Sequence, residues 1–158
     1  MRPMDPTFQS LLDTLPKALE RLLSMPPQKA ASVPPSAPSQ GVYLLSEGRK
    51  HLYVGRSNRL RQRVRNHGRP SATANQAAFA FRLAREATGK SKASYKPKGS
   101  RAELLKDPAF AEAFSRAKAR IQKMDVRYLA ETAPLRQYLL ELHVAVALHT
   151  PYNDFDTH

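Results

Sequence analysis

Residues 41–67 read GVYLLSEGRKHLYVGRSNRLRQRVRNH, and the parsing of this stretch decides the fold. GVYLL and KHLYVG are short, β-branched and aromatic, and they flank Ser46, Glu47, Gly48 and Arg49. That pattern predicts a β-hairpin with a four-residue turn. Ser57 or Asn58 then stands where a helix cap belongs, and Leu60 and Val64 lie four apart on one side of the helix that follows. Arg59, Arg61, Arg63 and Arg65 fan around the other faces, because at about 100° per residue they cannot all point one way. Taken singly, these residues have ordinary readings: strand tyrosines such as Tyr43 and Tyr53 are commonly half-buried, and a helical arginine is commonly a solvated charge. Taken in order, two strand tyrosines followed at once by a basic helix suit the handling of a phosphate backbone.

The whole chain points the same way. It has 158 residues, with 26 Lys and Arg against 13 Asp and Glu, a formal net charge of +13 and a pI of about 10.4. Such an imbalance costs self-repulsion unless a polyanion is the partner, so nucleic acid comes first and an anionic membrane surface second. No apolar run approaches the roughly 18 residues of a membrane span, and MRPMDPTFQSLL has no signal-peptide core. A cytoplasmic protein, nucleoid-associated if bacterial, is therefore expected. The absence of cysteine excludes disulfides, thiolate metal sites and cysteine nucleophiles together.

Outward from the hairpin, residues 1–25 carry a leucine stripe at helical spacing, interrupted by Pro16 with Thr14 placed as a cap. This predicts a helical extension, an appendage read first as a clip packed onto the main domain and otherwise as a surface for a protein partner or for self-association. Residues 26–40 are a Pro-rich linker too poor in large apolar residues to fold alone. The main domain is expected over 41–158, with a basic helical and loop insertion at 68–123. Within it, residues 75–88 read as a helix. Ser100 and Glu103 have capping-box spacing, and Asp107-Pro108 opens another helix. DVRYLA (Asp125–Ala130) reads as a third strand. A last helix, about Ala133 to Leu148, is apolar nearly all round and so is expected to be buried. Glu141 lies in its middle, where a carboxylate needs a salt bridge or a metal ion.

In combination these elements match a known pattern. Gly41-Val42-Tyr43 and Tyr53-Val54-Gly55, then Arg63 ten residues after the second tyrosine, then His67 one turn on, resemble the signature of the GIY-YIG nuclease superfamily. Glu141 on a late helix running into Pro151-Tyr152-Asn153 completes five elements in order across residues 41–153. Valine replaces isoleucine in both signature blocks. The first 40 residues lie outside the resemblance.

The resemblance implies an α+β fold: a small three-stranded antiparallel or mixed sheet flanked by helices. It implies a divalent-metal-dependent endonuclease hydrolysing phosphodiester bonds at a single-metal site, with Glu141 holding Mg²⁺ or Mn²⁺. Tyr43 would position or deprotonate the attacking water, with Tyr53 sharing its network and His67 relaying the proton. Arg63 would grip the scissile phosphate, Asn153 would orient the cleft, and Gly41 and Gly55 would serve structure. DNA is favoured over RNA on the same ground. Phosphate contacts are expected from Arg56, Arg59, Arg61, Arg65, Lys90, Lys92, Lys96, Lys98 and Arg101. The alternative is a non-cleaving basic nucleic-acid-binding module with the same fold.

Overall fold

The computed structural model describes residues 1–90, 100–153 and 155. In chain order its elements are α1 (Pro6–Asp13), α2 (Leu15–Ser24), β1 (Gln28–Lys29), a 3-10 turn (Ala30–Ser32), β2 (Gly41–Glu47), β3 (Lys50–Ser57) and α3 (Leu60–Gly68). There follow α4 (Ala78–Ala87), α5 (Arg101–Leu105), α6 (Pro108–Gln122), β4 (Asp125–Ala130) and α7 (Pro134–Leu148). Two units result. A sheet unit comprises Met1–Gln28, Pro34–Arg61 and Asp125–His158, and a helical unit comprises Lys29–Val33 and Gln62–Met124. No helix among the described residues is long and apolar enough to cross a membrane.

The fold is α+β, and the sheet has four strands in the order β1-β4-β2-β3, not the three expected. The extra strand is two residues inside the Pro-rich stretch, too short to carry any alternation a sequence reading could detect. β2 pairs antiparallel with both β3 and β4. The hairpin turn is tighter than expected. Glu47 pairs with Lys50, so only Gly48 and Arg49 form the loop, and Gly48 takes the left-handed φ of 60° that such a turn demands. The register then slips between Leu45 and Ser46: Leu45 faces Tyr53 but Ser46 faces His51, a bulge at Leu52.

Strand alternation sends Val42, Leu44 and Val54 to one face, where they pack with Leu15 and Leu22 of α2 and Leu140 and Val144 of α7. The N-terminal segment is therefore a clip packed onto the sheet and α7. Two of its leucines complete the core, each contributing about 1.5–3 kcal/mol by burial. Thr14 is not a side-chain cap either; its hydroxyl donates back to the Leu11 carbonyl at 2.7 Å.

The expectation that α7 is buried all round is also corrected. Gln137, Leu140, Val144 and Ala145 face inward, while Leu135, Tyr138, Leu142 and Val146 face out. Apolar residues are buried only where an element covers them, and α2 and the sheet cover one side.

In the helical unit, Phe81 of α4 meets Phe110 and Phe114 of α6 at centroid distances of 5.0 and 5.7 Å. Both caps read from sequence are present: the Ser100 hydroxyl accepts from the Glu103 amide at 3.2 Å, and the Asp107 carboxylate from the Ala109 amide at 3.1 Å. The helix expected from residue 75 starts at Ala78, because Thr73 and Gln76 first close a turn with reciprocal side-chain bonds.

Candidate active site

Strand β3 is the rail on which the sheet unit assembles its polar groups. Tyr43 lies directly opposite Gly55, and a β-carbon at Gly55 would run into the Tyr43 ring and hydroxyl. Glycine is thus required mid-strand so that the tyrosine can lie across its neighbour. Gly41 has a similar origin, since a β-carbon there would strike the Leu129 carbonyl. Tyr43 is 1% exposed, whereas Tyr53, 6.4 Å away between ring centroids on the same face, is half-buried. Tyr53 is therefore the more exposed residue of the pair.

The outward edge of β3 needs partners for its backbone groups. His149 ends α7 in a left-handed conformation, φ 51°, after which the Tyr152 amide donates to the Leu52 carbonyl at 3.2 Å. Asn153 then grips Val54 twice: its Oδ1 accepts from the Val54 amide at 2.8 Å and its Nδ2 donates to the Val54 carbonyl at 2.7 Å. The Thr150 hydroxyl donates to the same Oδ1 at 2.8 Å. Both lone pairs of that oxygen are engaged, so Asn153 is a positioning residue and not a metal ligand.

The next outward amide on this edge belongs to Arg56, and the Glu141 carboxylate accepts from it. Burial pushes the Glu141 carboxyl above the usual range, against the opposing pull of the Arg56 guanidinium and amide.

That guanidinium is itself fixed. It lies 3.6 Å from the centroid of the Tyr138 ring and donates to Gln137 Oε1 at 3.3 Å. Gln137 is 1% exposed, and its Nε2 donates to the Glu131 carbonyl at 2.6 Å and to Asn58 Oδ1 at 3.2 Å. Gln137 and Tyr138 were not singled out from sequence as site residues. Their position one turn before Glu141 on the same helix is the signal that would have found them.

Arg63 and His67 belong to the helical unit. Arg63 donates to the Gln76 carbonyl at 2.8 Å. His67 is fully buried, edge-on to Phe79 at 6.3 Å, and its pKa is lowered to about 3 by burial first and the Arg63 charge second. A ring held neutral in this way does not relay protons near pH 7, and the relay role is set aside. Of the expected phosphate contacts, Arg59 and Arg65 are exposed while Arg56 and Arg61 are half-buried. Lys90 pairs with Asp107 at 3.2 Å, and Arg101 donates to Asn75 at 2.6 Å. Lys92, Lys96 and Lys98 lie outside the described residues.

Among the described residues no three His, Asp or Glu side chains gather as a metal cage. Glu141 nonetheless offers hard oxygen donors beyond the one its Arg56 amide bond uses. That fits an ion which keeps most of its shell as water and substrate oxygen. No protein-family model, no curated protein and no solved structure matches the chain.

Proposed function

We propose that the sheet unit carries the active site of a divalent-metal-dependent DNA endonuclease of GIY-YIG type. The observation that carries this reading is the placement of Glu141 on the outward amide of Arg56, one residue past the Gly55 that admits Tyr43. A structural ion pair would explain Glu141 and Arg56 alone. It would not explain why a glycine on β3 makes room for Tyr43 of β2 beside Tyr53.

A magnesium or manganese ion held by Glu141 would supply neutralisation of charge on the phosphate and the leaving oxygen. The chain's own groups do the rest. Tyr53, half-buried beside Tyr43, orients the attacking water with its hydroxyl. A phenol needs a cation or the metal ion beside it to accept that proton near neutrality. The Arg56 guanidinium, already immobilised by Gln137 and Tyr138, presents its remaining N–H groups to a phosphate oxygen. Arg63 keeps further donors beyond its bond to Gln76.

A second reading, a non-cleaving nucleic-acid-binding module, draws on the engagement of Arg63 and the sealing of His67. Nicking of supercoiled plasmid with magnesium or manganese separates the two. Glu141→Gln should lower the rate by about 10³-fold, roughly 4 kcal/mol of barrier, while retaining DNA binding. Equal cutting by both proteins rejects Glu141 as the ligand. If wild type cuts neither plasmid nor single-stranded or branched DNA, the binding module stands.

A further inference from the structure

Along the outer stripe of α7, the cleavage chemistry above uses only Tyr138, and only as a support for Arg56. Leu135, Tyr138, Leu142 and Val146 are 65, 53, 45 and 62% exposed, at helical spacings of three and four residues. Isolated exposed apolar residues need no explanation, but an aligned set on one helix face does. Tyr138 is the distinctive member. It precedes Glu141 by one turn, and the Arg56 guanidinium carbon lies over its ring, 3.6 Å from the centroid. Gln137, buried beneath and bonded to Asn58 and the Glu131 carbonyl, fixes that guanidinium. Ring and guanidinium are thus organised before any ligand arrives, which lowers the ordering cost of binding.

Two occupants compete for such a stripe, a second copy of the chain and a nucleic-acid strand. Charge decides between them. Two chains of formal charge +13 repel, and burying α7 against its own copy would bring two Arg56 cations toward one another. A nucleobase carries a flat π-face, stacks on tyrosine and arginine alike, and arrives on a polyanion.

We infer that Tyr138, with the Arg56 guanidinium, is a stacking platform for an unpaired nucleobase of the strand seated at Glu141, and that Leu142 packs beside that base. The substrate class is DNA with an unstacked nucleotide at the cleavage site: a bubble, a fork or a single strand. This rests on the nuclease reading above, which supplies the strand.

The test uses the full chain in metal-free buffer with a short duplex whose central mismatched bubble contains 2-aminopurine, alongside the fully paired duplex. Wild type and Tyr138→Phe should quench the fluorescent base on binding. Tyr138→Leu, which keeps apolar area but no π-face, should not quench and should bind the bubble roughly tenfold more weakly, with a smaller loss on the paired duplex, where only the hold on Arg56 is loosened. A merely structural role for Tyr138 would leave the quench intact. Equal quenching by Tyr138→Leu overturns the inference, and with plasmid nicking preserved it does so without touching the nuclease reading. Sedimentation showing a dimer that Leu142→Arg dissociates overturns it in favour of a second copy. Failure of wild type to bind either DNA overturns both readings.

Discussion

Asn153 and Lys118 do comparable work in different units, and what surrounds them differs. Asn153 clamps the edge of β3 and leaves Tyr53, Arg56 and Glu141 beside it half-buried, still open to a ligand. Lys118 is buried on α6, donating to the Pro70 and Ala72 carbonyls at 2.7 and 3.1 Å with its ammonium 4.3 Å from the Phe114 ring. Burial lowers its pKa, and its charge serves the loop before α4. Arg63 is likewise bonded to a carbonyl, and His67 is sealed neutral. A basic chain thus divides its polar residues. In the helical unit several hold irregular backbone together, while in the sheet unit an amide holds the edge of β3 and Glu141 stays half-buried beside it.

The contrast is broken most severely at His67. As pH falls below about 6.5 the unfolded chain takes up a proton there, but the folded chain does so only near 3. Its contribution is complete above the unfolded pKa and is lost as pH falls across that window, about 3 kcal/mol by roughly pH 4. Urea unfolding followed from neutral pH downward should show this loss, and His67→Leu should flatten the slope. An unchanged slope would mean that the ring is not sealed.

A somewhat smaller effect is expected in the sheet unit. Gly55→Ala forces a methyl into the Tyr43 ring and should cost about 2–3 kcal/mol, read as a lower urea midpoint with an unchanged m-value. A neutral result would show that Tyr43 moves aside freely, which would also remove its claim to a fixed role. The smallest effect sharpens the comparison of clamps. Lys118→Met keeps the stem packed on Phe114 but leaves two carbonyls without their donor, for a loss of about 1–2 kcal/mol. Lys118→Arg, which keeps a donor, should recover part of it.

Much of this molecule is local and was legible without coordinates. The hairpin strands, β4 over Asp125–Ala130, and the caps at Ser100 and Asp107 follow from alternation and from residues within three positions of each other. Less legible was whatever depends on coverage. α7 reads as apolar on every side, yet only one side is covered among the described residues, and the leucine stripe of α2 does not by itself say which surface it closes. The two-residue β1 carries no periodicity at all.

The sequence alone determined the net charge, the order of the signature residues, and the local elements that carry them. Only tertiary structure decided what each residue faces. Asn153 and Val54 are 99 positions apart, so no periodicity or spacing rule could predict that the Asn153 amide would complete a strand edge. Gly55 is legible as a signature glycine, but the ring that requires it comes from the opposite strand. His67 and Glu141 are both titratable helix residues in the sequence. Desolvation by different surroundings seals the first as a neutral core group and leaves the second as a raised, half-buried carboxyl beside an arginine.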